Sequence, residues 1–155
     1  MELSVAENLA VSLMKQHGIW ELGWRFEFNN HLRAFGVCSY GNKSIQLSKH
    51  LTRLNDLETV KDTILHEIAH AIAGFDAHHG YQWKLACIKI GAKPERCYDS
   101  NKVNTPKLKY VAVCGGCGET YERARLKLKE AKRACRCQAH KSWENKILLE
   151  FKERY

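Results

Sequence analysis

The residues best suited to chemistry in this chain form the segment His66-Glu67-Ile68-Ala69-His70. Two histidines four positions apart lie one helical turn apart, so both rings can reach one metal ion. Glu67 lies between them, where its carboxylate can reach a water molecule on that ion. This is the H-E-x-x-H pattern of zinc hydrolases, in which the metal activates water and the glutamate accepts its proton. The segment predicts a catalytic zinc ion on His66 and His70, with Glu67 as general base.

A third ligand is needed, and the residues after the motif offer several. The metzincin spacing requires a glycine three residues after the second histidine and a ligand six residues after it, but these positions are Ala73 and Asp76. Glu95 is an acidic candidate, although it lies in a predicted loop. His78 and His79 follow the motif closely, and neutral imidazole is a common zinc ligand. The spacing favours a histidine and leaves both of them open.

Two pairs of cysteines form a second candidate metal site. Cys114 and Cys117 are separated by two glycines, and Cys135 and Cys137 follow after 17 intervening residues. Four thiolates complete a tetrahedral structural zinc site, so the pattern predicts a zinc ribbon. The second pair is C-x-C rather than C-x-x-C, and His140 is an alternative to one of the thiols. Free thiols in a cytosolic protein are the other interpretation.

Positive charge is concentrated around these cysteines. Residues 1–101 hold 11 Lys and Arg against 11 Asp and Glu, whereas residues 102–155 hold 14 against 6. Cations alternate with apolar residues between the two cysteine pairs, and in a strand this places them on one face. We expect this face and its neighbours to bind DNA, single-stranded or duplex, without sequence preference and with strong salt dependence. The candidate contacts are Arg123, Arg125, Lys127, Lys129, Lys132 and Arg133. A solvated charged face is the alternative.

The helix that carries the first motif is predicted from Asn55 to Gly74. Asn55 is placed to cap its start, with Glu58 completing a capping box, and Gly74 is placed to end it in a left-handed turn. Its apolar residues recur at helical spacing and predict a core-facing side made of Leu57, Val60, Ile64, Ile68, Ala71 and Ile72.

The flanking segments predict the elements that support this helix. A first helix is expected over Ser4–His17, with Ser4 and Glu7 as a capping box and Val5, Leu9, Leu13 and Met14 as its apolar stripe. Three strands, Trp24–Phe28, Arg33–Tyr40 and Ser44–Leu47, predict a small antiparallel sheet. We expect Ile45–Leu47 to be an edge strand that pairs with extended substrate. A further helix over Tyr81–Ile90 places Trp83 behind the metal site.

The length and the charge distribution predict two parts, a domain over residues 1–101 and a basic module over residues 102–155. The fold class is α+β. We find no secretory signal and no apolar stretch of transmembrane length, so we expect a cytoplasmic protein, or one held with DNA in a nucleoid or nucleus, that is not secreted and binds no membrane. The sequence does not indicate an oligomeric state.

The segment His79-Gly80-Tyr81-Gln82-Trp83 behind the H-E-x-x-H helix resembles the H-G-x-x-W signature of SprT-like (Spartan-type) zinc metalloproteases. The resemblance extends upstream over Trp24 to Leu47. It implies a zincin-like protease domain with His79, rather than His78, as the third ligand. It also implies that the substrates are proteins bound or crosslinked to DNA, and SprT-like proteins commonly carry a zinc ribbon.

Two other classes of function remain open. One is a nucleic-acid-binding or transcription-associated protein whose metal site is only structural. The other is a general peptidase with no role on DNA.

Overall fold

The computed structural model describes residues 1–96, 103–126, 133–139 and 141–154. The chain divides into two compact units, Met1–Pro106 and Lys107–Tyr155. Among the described residues, each unit contains one three-stranded sheet, and the α-helices lie in the first unit. The fold class is therefore α+β, as the sequence predicts.

The metal-motif helix is the central element of the first unit. It packs against the first helix, the last helix and the second strand. In chain order the elements are α1 (Leu3–Gln16), β1 (Arg25–Asn29), β2 (Gly36–Ser39), β3 (Ser44–Ser48), α2 (Lys49–Leu54), α3 (Leu57–Ala73) and α4 (Tyr81–Ile90), with a 3-10 turn (Phe75–Ala77) between α3 and α4. The bounds of α4 are those predicted from the sequence, and Gly91 ends it in the left-handed conformation that glycine adopts without steric cost.

The sheet of the first unit is mixed rather than antiparallel. Strand β3 lies in the centre, with β1 parallel on one side and β2 antiparallel on the other. The prediction that Ile45–Leu47 forms an edge is therefore wrong. Alternation of apolar and polar residues identifies a strand and its buried face, but it does not identify the neighbouring strand. Burial of Ser44 and Ser48 together with the apolar residues of β3 is consistent with its central place.

Helix α3 is capped by Asp56 rather than by Asn55. The Asp56 carboxylate accepts a hydrogen bond from the backbone N–H of Thr59 at 2.8 Å. Asn55 is buried and ends α2 instead: its side-chain amide donates to the carbonyl oxygens of Leu51 and Asn104 and accepts from the Asn104 N–H, each at 2.8 Å. Both Asn and Asp are good helix caps, so composition alone does not choose between adjacent positions.

The first helix also begins without the predicted capping box. Helix α1 starts at Leu3, and no side chain among the described residues caps its first turn. The sequence places Val5 in the apolar stripe, but Val5 is half exposed, and the helix instead buries Ala6 and Ala10 beside Leu13 and Met14. Small alanines allow α1 to approach its neighbours closely, and hydrophobicity patterns underweight them.

The buried side of α3 is wider than the predicted stripe. Val60, Ile64 and Ile68 are fully buried as expected, whereas Leu57 and Ile72, near the two ends, are 56% and 39% exposed. Leu65 and Ala69 are buried beside the stripe. The helix is covered on several sides by other elements, so a single amphipathic face does not describe it.

The second unit is built on an antiparallel sheet of order β5-β4-β6, made of β4 (Tyr110–Val113), β5 (Thr120–Arg123) and β6 (Lys152–Glu153). A strand carrying the cations from Arg123 to Lys129 is predicted, but β5 ends at Arg123, and the chain bends at Ala124 and Arg125. Arg123 pairs with Tyr110, the first residue of β4, so β5 ends where its partner does.

None of the helices in the described part of the chain combines the length and the apolar character that a membrane crossing requires.

Candidate metal centre and its surroundings

Three histidine rings converge beside α3. His66 and His70 lie one turn apart on the helix, and His79 comes from the segment that follows the 3-10 turn. The Nε2 atom of His79 lies 3.2 Å from Nε2 of His66 and 3.1 Å from Nε2 of His70. Two nitrogens at about 2.0–2.1 Å from one tetrahedral zinc ion are about 3.3–3.4 Å apart, so the three rings fit that ion.

A tight turn brings His79 rather than His78 into this group. Gly74 ends α3 with φ 88°, and His78 also has a positive φ of 43°. The N–H of Gly80 donates to the carbonyl of Ala77 at 2.8 Å, and a Cβ on Gly80 would lie 3.0 Å from that oxygen. His78 is exposed and lies outside the three-histidine group. Glycine at position 80 therefore permits the close turn that presents His79.

The indole of Trp83 packs against all three histidine rings. This indole is fully buried, and its ring centroid lies 4.8 Å from that of His66, 5.3 Å from that of His70 and 4.7 Å from that of His79. The His70 ring stacks on it with an interplanar angle of 29°. The indole restricts the rotamers of all three histidines, as the sequence-based placement of Trp83 behind the site anticipates.

The local environment keeps these imidazoles in the form that binds metal. Burial lowers the pKa of His66 and of His70 to about 4, and each is lowered further by the neighbouring histidines. Burial also lowers the pKa of His79, and the positive charge of Arg96 lowers it further. The rings are therefore neutral at pH 7, with a lone pair available for a cation.

Glu67 is buried between α3 and β2. The residue is 7% exposed, and desolvation raises the pKa of its carboxyl to about 8, while a hydrogen bond from the backbone N–H of Cys38 acts in the opposite direction. Its side chain packs directly on Gly36. Gly36 is a site residue that the sequence-based predictions do not include. A glycine inside a predicted strand often marks the close approach of another group, and that signal is present here.

Two further residues of β2 and its turn border the site. The Tyr40 hydroxyl donates to the carbonyl oxygen of His70 at 2.8 Å, which ties the strand end to the last turns of α3. Burial and the nearby Glu67 raise the pKa of the Cys38 thiol to about 12. Cys38 is therefore a neutral thiol at pH 7 and not a nucleophile. Cys97 lies outside the described residues.

Of the three histidines, His79 lines a cavity of about 720 Å³, and Trp83 lies beside it. The other lining residues are His78, Lys84, Pro94 and Arg96. The cavity leaves room for a ligand beside His79.

The four cysteines of the second unit converge in the same way. Cys114 Sγ lies 3.6 Å from Cys137 Sγ, and Cys117 Sγ lies 3.6 Å from Cys135 Sγ. Sulfur atoms at about 2.3 Å from one tetrahedral zinc ion are about 3.8 Å apart, so the group fits structural zinc. A four-cysteine cluster that could be a zinc ribbon is thus present. His140 lies outside the described residues.

Hydrogen-bond donors surround these sulfur atoms. The backbone N–H of Gly116 lies 3.4 Å from Cys114 Sγ, and it lowers the pKa of that thiol to about 7. The amide N–H of the buried Gln138 donates to Cys137 Sγ at 3.1 Å. The Tyr121 hydroxyl donates to the Glu119 carboxylate at 2.8 Å and lies 2.9 Å from Cys135 Sγ. N–H donors favour negative charge on sulfur, which is the state that a metal requires. In the metal-free protein, burial and the neighbouring thiols raise the pKa of Cys117 and of Cys137.

The predicted DNA contacts are only partly within the described residues. Arg123 is half-buried, donates to the carbonyl of Glu122 and lies over the ring of Phe151 at 5.7 Å, so it is engaged within the unit. Arg125 and Arg133 are exposed. Lys127, Lys129 and Lys132 lie outside the described residues.

The α+β unit thus brings together three histidines that could hold a metal ion. Residues 8–105 match the family model of the SprT-like family. The chain belongs to the SprT-like family, whose members are generally metallopeptidase-like. No curated protein and no solved structure matches the chain.

Proposed function

We propose that this protein is a zinc-dependent metalloprotease with a zincin-like domain, which cleaves proteins bound or crosslinked to DNA. The observation that carries the proposal is the convergence of His66, His70 and His79. The buried Glu67 lies on the helix that carries the first two of these histidines. Membership of the SprT-like family supports the reaction class. The substrate class rests on the resemblance to Spartan-type proteases.

In this proposal His66, His70 and His79 hold the catalytic zinc. The ion supplies a Lewis acid that activates water at neutral pH and polarises a peptide carbonyl. Glu67 is the general base and then passes the proton to the leaving amine. In the metal-free protein, burial raises the pKa of Glu67 to about 8. A cation held by the three histidines would favour the carboxylate form, which is the form that accepts a proton.

The second unit supplies the proposed contact with DNA. It contains exposed cations, among them Arg125, Arg133 and Arg136, and an exposed Trp143 with Lys146 at 5.4 Å from its ring centroid. The cations suit phosphates and the indole suits an unpaired base. The four-cysteine cluster, with structural zinc, would hold the strands that present these residues.

The substitution Glu67→Gln tests the proposed reaction. It keeps the shape of the side chain and removes the base, so zinc content and folding should be retained, while cleavage of a DNA-bound protein should fall by at least about 100-fold. Glu58→Gln is the matched control, because Glu58 lies on the same helix with a side chain that is 82% exposed. Unchanged cleavage by the Glu67→Gln variant would remove Glu67 from the mechanism.

The proposed DNA role is tested by a salt series. The double variant Arg125→Glu and Arg133→Glu should weaken binding to single-stranded and duplex DNA alike and lower the salt slope by about 1 per lost phosphate contact. Lys89→Glu, on α4 of the first unit, is the control. If wild-type protein cleaves protein substrates equally well with and without DNA and binds neither form of it, a general peptidase replaces the present proposal.

A further inference from the structure

Strand β2 meets the proposed base at a residue that has no side chain. A Cβ atom placed on Gly36 would lie 2.6 Å from Oε1, 2.7 Å from Cγ and 2.9 Å from Cδ of Glu67. Real Cβ atoms essentially never approach other heavy atoms below 3.0 Å. Any other amino acid at position 36 therefore collides with Glu67 along most of its length.

The pairing of β2 with β3 explains this close approach. The N–H of Ser48 donates to the carbonyl of Phe35 at 2.8 Å, which makes Phe35 and Ser48 a hydrogen-bonded pair. Such pairs alternate along an antiparallel ladder, so Gly36 and Cys38 direct their N–H and C=O groups away from β3. The Cys38 N–H donates to the Glu67 carboxylate. The carboxylate thus lies along the outer edge of β2, across Gly36.

The requirement for glycine here concerns volume and not backbone conformation. The φ angle of Gly36 is not in the positive range, so an alanine can adopt the same backbone angles. What an alanine cannot do is share the space with Glu67. Because Glu67 is nearly buried, its Cγ has little freedom to move aside, and relief requires either a different rotamer or a displacement of β2 from α3.

We propose that Gly36 is a positioning residue for the general base: the gap that it leaves on β2 fixes the Glu67 carboxylate between the Cys38 N–H and the histidine group. This inference rests on the proposed function, in which Glu67 is the base. A methyl group at position 36 displaces the carboxylate while leaving all three histidines and their metal in place.

The contact itself is tested on metal-free protein by thermal unfolding, which does not depend on activity. Gly36→Ala should lower the unfolding temperature by several degrees, and this loss should shrink by more than half when Glu67→Ala has removed the colliding side chain. Gly41→Ala is the matched control, because a Cβ on Gly41 has no neighbour within 4 Å. Equal losses in the two backgrounds would overturn the contact.

The positioning role is tested on zinc-loaded protein. Gly36→Ala should lower kcat by about 10- to 100-fold with zinc per chain and KM unchanged, since small displacements of a catalytic group are costly. In the Glu67→Gln background, Gly36→Ala should cause no further loss of kcat. A wild-type kcat, or a further loss in the Glu67→Gln background, would overturn the proposal. If the wild-type protein shows no proteolysis, the proposed function fails and the positioning role fails with it, while the unfolding cycle still decides the contact.

Discussion

At the scale of single residues, His66, His70 and His79 are prepared as ligands by their surroundings. Burial lowers the pKa of each ring, and the indole of Trp83 limits how each ring can turn. A metal therefore does not have to displace protons from these rings at neutral pH. Part of the cost of assembling the site is met when the protein folds.

The histidine at position 79, rather than its neighbour, should control metal binding. His79→Ala should weaken zinc binding at the three-histidine site by more than about 100-fold, because it leaves two ligands on one helix. His78→Ala should retain the metal, since His78 lies outside the group. Zinc per chain, measured after dialysis against a weak chelator, checks both. Retention of zinc by the His79→Ala variant would contradict the assignment.

The stability of the metal-free protein should depend on pH through Glu67. Its pKa is raised in the folded state to about 8, so its contribution to stability is full below the unfolded pKa of 4.5 and is lost as the pH rises through about 8. Each unit of pKa difference corresponds to about 1.4 kcal/mol. In Glu67→Gln this loss is removed, so the variant should gain stability relative to wild type from pH 5 to pH 8.

Urea unfolding of both proteins with excess chelator measures this difference. The histidines act in the opposite direction: the pKa values of His66 and His70 are lowered to about 4, so their contribution is present above pH 6.5 and is lost as the pH falls through about 4. They affect wild type and variant alike. A difference between the two proteins that stays constant with pH would contradict the burial of a neutral Glu67.

At the scale of elements, the connection between α2 and α3 depends on one buried amide. Asn55 makes three hydrogen bonds, to Leu51 and to both polar groups of the Asn104 backbone. Asn55→Ala should lower the free energy of unfolding by about 2–3 kcal/mol, because it leaves buried backbone groups unpaired. Asn42→Ala, at an exposed turn, is the control. Denaturant unfolding that shows equal stability for the two variants would disagree with this role.

The sequence predicts where helices and strands lie along the chain better than it predicts which of them lie next to each other in the fold. Helix α4 is located to the residue, because an apolar face and a terminal glycine define it locally. The central position of β3 is missed, because alternation carries no information on pairing. The same limit explains why the H-E-x-x-H spacing identifies Glu67 but not Gly36. The contact between them joins β2 and α3, and only tertiary structure brings these two elements together.

At the scale of the whole molecule, the two units differ in how much apolar core each contains. Among the residues that the structure describes, twenty buried residues form the core cluster of the first unit, whereas the buried cluster of the second consists of Ala112, Cys114, Cys135 and Leu149. Two of those four are candidate metal ligands. A core of this size does not support a fold alone, so the second unit should depend on its metal.

Removal of zinc should therefore affect the two units differently. With a strong chelator, amide protons of the second unit should lose protection from hydrogen exchange, while those of α1, α3 and α4 should keep most of theirs. Substitution of Cys135 by Ser should have the same selective effect in the presence of zinc. Retained protection in the second unit after complete zinc removal would show that its fold does not need the metal.

The site residues come from separate parts of the chain, and this bears on the order in which the histidine group and the Glu67 contact form. The histidines come from α3 and the segment directly after it, so local structure alone brings the three proposed ligands together. Glu67 reaches its final place only after β2, from much earlier in the chain, has docked on α3. Under the proposed function, a chain whose sheet has not yet formed would hold metal without cleaving protein.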